Sequence, residues 1–221
     1  MKKERKKPEL TVELKRQEWE MTLEGECVLR CAMTRPELTG TWKRIGAINR
    51  YYIHAAHTWR RRWERELYCM ACLDLADRRA QGRPFRVWQA ELETQITFQE
   101  HGLFSLWQEG RERRGYDRPL SLRRGDTWSL TEGAPRTLAS FFARERRWKK
   151  HMMRQLEKQV SERIAGGESL FDADSAKRLG REFDQRNFYL TDVGVQVFFP
   201  MCALAPEAEG IPVFTVPMPG K

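Results

Sequence analysis

The chain lacks any run approaching the ~20 uninterrupted apolar residues that a membrane-spanning helix requires, so a helical membrane span is excluded. Its basic start is followed by Pro8, Glu9, Glu13, Lys15 and Arg16, not by an apolar stretch. That does not read as a secretory leader, and the expected location is the cytoplasm. Cysteine is sparse and odd in number: Cys27, Cys31, Cys69, Cys72 and Cys202. Such a set fits reduced, mostly buried thiols and argues against a disulfide framework. Signatures of catalysis are missing too. There is no Gly-x-Ser-x-Gly elbow to seat a hydrolase nucleophile. Gly166-Gly167 is not followed by Lys-Ser/Thr, which excludes a phosphate loop of that type. Internal repeats, low-complexity tracts and any recognisable nucleic-acid module are likewise absent. The expectation is a binding protein and not an enzyme, with no cofactor and no metal.

What is present suits one well-filled core. The 221 residues are 40% hydrophobic and 11% aromatic, with eight tryptophans and eleven phenylalanines. Disordered chains are poor in such residues. The net charge is +9, but five basic residues among the first seven face only Glu4, so nearly half of the excess sits in residues 1–8, read as a disordered tail. Residues 9–217 read as a single domain.

Periodicity supplies the elements. Residues 9–17 alternate as a half-buried strand, turn at Glu24-Gly25-Glu26, and return through 26–34, closed by Pro36 and Gly40. Ile45, Ile48, Tyr52, Ala55, Trp59, Trp63, Leu67, Met70 and Leu73 recur at steps of three and four. This predicts one long amphipathic helix, capped by Thr41, ended by Gly82 and Pro84, and packed across a sheet. Arg50, Arg61, Arg62, Arg65 and Arg78 fall on the other face. Residues 88–99 switch to period two, with Trp88, Ala90, Leu92, Thr94, Ile96 and Phe98 on one side. A second strand at 103–108, a basic loop at 110–125 and a short strand at 126–130 follow. Next come a short helix at 137–142, a helix carrying Trp148, Met152, Leu156, Val160 and Ile164, and a short one capped by Asp174. A hairpin over 188–199 and an edge strand at 211–216 end the chain. The predicted class is α+β, an antiparallel sheet with one long amphipathic helix across it and shorter helices, without βαβ alternation.

Three segments carry a resemblance. They are FSLW at 104–107 with GDTWSLTEGAPRTLASFF at 125–142, NFYLTDVGVQVFF at 187–199, and ALAPEAEGIPVFTVP at 203–217. In that order they resemble the RsiV-type domain of unknown function. That domain is the extracytoplasmic part of lysozyme-sensing anti-sigma factors and also occurs beside the deacetylase domain of PdaC-type proteins. Ile48-Asn49 is similar to the pair that opens the family's long helix. The resemblance spans roughly 40–217 and implies recognition of a protein or cell-envelope ligand without catalysis. Relatives keep a Gly-Gly-Ala-His-Gly-like loop between the paired central strands. Here that place holds Arg111-Glu112-Arg113-Arg114-Gly115, which implies a different ligand.

Cys69-Met70-Ala71-Cys72 has metal-like spacing but sits on a helix beside a stripe residue, where buried thiols are the expected reading. His54 and His57 lie one turn apart without the carboxylate a zinc protease needs, and read as boundary residues. Asp172 and Asp174 are close in sequence, but the nearby Glu182 and Asp184 read as ordinary helix surface, and a paired-carboxylate site is not the expected reading. The strongest signal is basic. Residues 111–124 carry six arginines against Glu112 and Asp117, with Tyr116, Trp128 and Trp148 nearby. Arginine beside aromatics suits an anionic partner, protein or otherwise, and a solvated surface is the competing reading. The candidate binding residues are Arg111, Arg113, Arg114, Tyr116 and Arg118. The alternatives are weak nucleic-acid binding by loop and tail, and a hydrolase with an unrecognised site.

Overall fold

The computed structural model describes residues 8–167 and 169–218; the basic residues 2–7 lie outside them. Leu10–Leu23 (β1) and Glu26–Gly40 (β2) form one long antiparallel hairpin around Glu24-Gly25, where both residues take positive φ (51° and 84°). β2 continues through Pro36 instead of closing there. Leu38 turns its N–H and C=O away from β1, to the Asn49 side chain. By the two-residue period Pro36 faces the same way, so its missing N–H costs no ladder bond to β1. The Asn49 amide closes both groups of Leu38, at 2.9 and 2.8 Å, in place of a neighbouring strand.

The helical stripe becomes one continuous rod made of Ile45–Arg62 (α1), a π turn at Trp63–Leu67, and Tyr68–Ala80 (α2). Its buried residues are Ile48, Tyr52, Ala56, Trp63, Leu67, Ala71 and Leu75. Met70 (40% exposed) and Leu73 (71%), expected on the stripe, point to solvent. The π turn explains this. Tyr68 N–H bonds the Trp63 carbonyl five residues back, and the extra residue rotates everything beyond it, so the stripe advances to Ala71 and Leu75. Thr41 does not cap this helix. Arg44 stands at the N-cap without a side-chain bond, while Thr41 Oγ1 accepts the Glu9 N–H and ties β1 to the end of β2.

The rod is a crossover. Trp88–Phe98 (β3) runs parallel to β2, pairing Leu29–Met33 with Trp88–Leu92. One βαβ unit therefore exists where the order of elements predicted none. Leu103–Arg113 (β4) and Leu120–Ser129 (β5) continue antiparallel, and the two-residue Ala134–Pro135 (β6) completes a six-stranded sheet in sequential order. Much of the expected basic loop is thus strand, and only residues 114–119 connect β4 to β5.

The remaining chain builds a smaller sheet from Phe188–Thr191 (β7), Gly194–Phe198 (β8) and Val213–Val216 (β9). A short 3-10 helix at Leu138–Phe142 and the helices Trp148–Gly166 (α3) and Ser175–Glu182 (α4) pack against it around Phe142, Met152, Leu156, Leu179 and Phe214. Ile164 is exposed. Asp174 occupies the N-cap of α4 without bonding through its side chain. Asp172 bonds there instead, accepting from Asp174 N–H and the Ser175 hydroxyl at 2.9 and 3.2 Å. The architecture is α+β. The two sheets meet where Ser105 Oγ accepts the Leu190 N–H (2.9 Å) and Gly125 lies under the Phe188 carbonyl, too close for any Cβ. No helix among the described residues is long and apolar enough to cross a membrane.

Candidate functional site

The two-residue period sends Leu120, Leu122, Arg124, Asp126 and Trp128 of β5 toward the long helix, opposite Glu112, Gly110, Gln108, Leu106 and Phe104 of β4. α1 answers with Tyr51, Ala55, Thr58, Trp59 and Arg62, at helical steps of three and four. Between them lies a groove of about 600 Å³. Gly110 sets its floor. A Cβ there would stand 2.4 Å from the Trp59 ring, so only glycine lets the indole rest on the strand. Leu120 and Leu122, 51% and 60% exposed, form an apolar lip unusual for a strand end.

The acidic groups of the groove are held. Both oxygens of Glu112, whose side chain is 8% exposed, take Arg62 at 3.0 Å each, and Trp63 Nε1 donates at 3.3 Å. Two consecutive residues thus reach one carboxylate, the second of them opening the π turn. Arg114 approaches the same carboxylate only to 3.8 Å, and its buried Nε has no partner among the described residues. It also lies over Trp88, 5.9 Å from the ring centre.

Asp126 is the second acid. It accepts from Tyr52 (3.4 Å), Tyr51 (3.5 Å) and Arg124 Nε (3.1 Å), while Trp128 Nε1 donates to the Tyr52 hydroxyl at 2.8 Å. The Asp126 side chain is therefore the hub of an aromatic network. Burial pushes its carboxyl above the usual range, and Arg124 and Tyr52 offset this only in part. A folded-state value raised this way favours the protonated form. Its contribution is fully present below the ordinary value of ~3.9 and is lost as pH rises through the raised value. Asp126→Asn is expected to remove that slope. In urea unfolding from pH 3 upward, the stability of wild type relative to the variant should fall with rising pH. A pH-independent difference would contradict the burial argument.

Of the five residues singled out by sequence, the structure brings only Arg114 into the groove. Arg111 and Arg113 point to the opposite face of the sheet, where Arg111 pairs Glu109 (2.8 Å) and Glu93 (3.2 Å). Tyr116 is clasped by Arg78 and Arg86, at 5.1 and 5.7 Å, against the end of α2. Arg118 is exposed on the connecting turn. Arg62, assigned to the solvent face of the helix, instead turns to the sheet, and Arg78 turns to Asp74 at 2.8 Å and to Tyr116. Arg124, Leu122, Trp59 and Glu112 were not singled out. The period-two run Leu120-Ser121-Leu122 was the available signal for them.

The other motifs add no chemistry to the groove. Cys69 is exposed on α2, Cys72 half-buried, and Cys31 is buried with its thiol pushed up to about 12 by burial. His54 and His57 are exposed, with His54 at the rim of the groove. Among the described residues no three His, Cys, Asp or Glu side chains group as metal ligands.

Residues 139–218 match the family described as a protein of unknown function, DUF3298; this stretch holds the small sheet, α3 and α4, and excludes the groove. No curated protein matches the chain. Among solved structures, a DUF3298 family member from Bacteroides fragilis NCTC 9343 has a TM-score of 0.63 at 14% identity, over 94% of this chain and 90% of its own. A DUF3298 family protein from Pseudomonas aeruginosa PAO1 has a TM-score of 0.57 at 12% identity, over 95% of this chain and 90% of its own. Identities this low establish a shared fold and nothing more. The C-terminal part of this chain is thus similar to DUF3298 proteins, and nearly its whole length folds as two of them do.

Proposed function

We propose that the protein is a non-enzymatic recognition domain of RsiV type that takes an anionic partner in the groove between α1 and β5. One observation supports this above the others. Two half-exposed leucines share the groove with Arg114 and Arg124, each of which makes a single ion-pair contact, while Glu112 is already occupied by Arg62. An exposed apolar lip flanked by arginine fits the make-up of an interaction surface. A carboxylate with both oxygens bound to arginine is poorly placed to act as a general base, which favours binding over hydrolysis. The ligand is inferred from the groove alone.

Arg114→Ala combined with Leu122→Ser tests the reading without orphaning a buried acid, because Glu112 keeps Arg62 and Trp63. Partners captured by wild type should be lost by the double variant while its unfolding midpoint stays close to wild type. Identical capture by both would remove the groove from the account. Capture dominated by oligonucleotide, weakening steeply with salt, would favour nucleic acid instead.

A further inference from the structure

An exposed strand edge invites pairing, and proteins close such edges by recognisable devices. Two outer edges here are bonded by neighbouring side chains, and the open edge of β1 is guarded by charge. β1 is lined by Lys15, Arg16, Glu18 and Glu20, with Arg16 paired to Glu18 at 2.6 Å. β9 is capped from α3: Gln159 bonds both the N–H and the carbonyl of Thr215, and Arg163 bonds the Val213 carbonyl. β7 gives its Leu190 N–H to Ser105. β5 differs. β6 covers it only at Trp128 and Ser129, so residues 120–126 carry no strand on their outer side among the described residues.

The direction of the free groups follows from the ladder. Arg136 N–H bonds the Thr127 carbonyl, so Thr127 faces outward. β4 and β5 pair without a register shift from Leu120 to Ser129. Gly125, Arg123 and Ser121 therefore also present N–H and C=O outward. The free edge runs about 20 Å, six steps of ~3.3 Å from residue 120 to 126. It is bordered on the helix side by the groove with Leu122, Arg124 and Arg114. On the other side lies a second hollow of about 810 Å³ between Gly125, Arg136 and residues 184–188. Arg124 belongs to both hollows.

We infer that the partner is an extended acidic peptide segment that adds to β5 as a further strand, pairing with Ser121, Arg123 and Gly125. An apolar side chain of that segment lies on Leu122; two residues to either side on the same face, one carboxylate meets Arg124 and the other reaches past Leu120 toward Arg114. Backbone pairing supplies affinity and the alternate side chains supply selectivity. Charge complementarity selects this occupant: Arg62, Arg114 and Arg124 face two acids, Glu112 and Asp126, which leaves a positive excess at the groove. The inference rests on the groove being the binding site and names what fills it.

The probe is the synthetic peptide acetyl-Thr-Asp-Thr-Leu-Thr-Asp-Thr-amide, whose leucine and aspartates share one face. Two twins carry N-methyl groups on alternate amides, one twin for each alternation frame. Strand addition predicts that one twin binds roughly tenfold or more weakly while the other binds like the parent, because only one frame of amides faces β5. It also predicts slowed hydrogen exchange at the amides of Ser121, Arg123 and Gly125, and loss of binding in Ser121→Pro. Equal binding of the parent and both twins overturns strand addition. If that equal binding disappears in Arg114→Ala with Leu122→Ser, the groove reading survives alone; if it persists there, both fall. Failure of the parent to bind at about 1 mM, near −4 kcal/mol, or tighter binding of a short oligothymidylate at the same salt, overturns the choice of an acidic peptide.

Discussion

Replacing Glu109 by alanine is expected to cost about 3–5 kcal/mol of folding stability, the range for breaking a buried ion pair from one side. Glu109 lies on the face of β4 away from the long helix, 5% exposed in its side chain. Arg123 of β5 reaches it with Nε and Nη2 at 2.9 and 2.6 Å, and Arg111 with Nε at 2.8 Å. Arg123 is itself mostly buried, its guanidinium 4.5 Å from the centre of the Trp107 ring. Alanine leaves that cation buried with no anion. Burial alone pushes the Glu109 carboxyl up, but hydrogen bonds from Arg111 and Arg123 outweigh it and hold the carboxyl below its usual range. Its stabilisation is therefore present above the ordinary value of ~4.3 and is lost as pH falls through the lowered one, opposite in sign to Asp126. A second comparison isolates the cause. Glu109→Leu with Arg123→Met removes both charges and should lie closer to wild type than either single change. Urea unfolding at neutral pH measures all four proteins, and a double variant as unstable as Glu109→Leu alone would contradict the unpaired-charge argument.

Trp63→Ala should be comparably severe, about 3–5 kcal/mol for emptying a fully buried tryptophan site. Trp63 opens the π turn and packs with Trp59 and Trp19 at ring-centre separations of 5.7 and 6.0 Å, inside the cluster that joins helix to sheet. It also donates to Glu112 at the groove floor. Trp63→Phe keeps a six-membered ring in the site and loses the donor with the pyrrole part of the indole, so it should cost distinctly less. Equal losses in the two variants would show that the hydrogen bond, and not the packing, holds this junction.

The helix and the strands were legible because each buries one face, and burial imposes a period. What was not legible depends on geometry between elements. The period of Trp63, Leu67, Met70 and Leu73 is a sound α-helical pattern, and one inserted residue in the backbone moves its continuation to Ala71 and Leu75. The β4–β5 arm looked like a loop because charges occupy both its faces. Glu109, Arg111 and Arg113 face one way and Glu112 the other, so alternation of charge does not stand out as alternation of polarity does. Arg62 sits on a helix flank, and only the placement of α1 over Glu112 turns it inward. Asp126 and Tyr52 lie 74 residues apart, and no local spacing announces their contact.

The same geometry divides the six-arginine run into parts. Arg123 and Arg111 serve the buried pair under the sheet, Arg124 serves Asp126, and Arg114 lines the groove with only a 3.8 Å approach to Glu112. The most direct measurement is a chemical-shift map of the protein titrated with the acidic heptapeptide. The indole Nε1 resonance of Trp59 and the amides of 120–125 should move together and saturate at one concentration, with those of 195–198 unmoved. Shifts confined to the connecting turn at 114–119 or to α3, with Trp59 and 120–125 unchanged, would contradict a binding groove between α1 and β5.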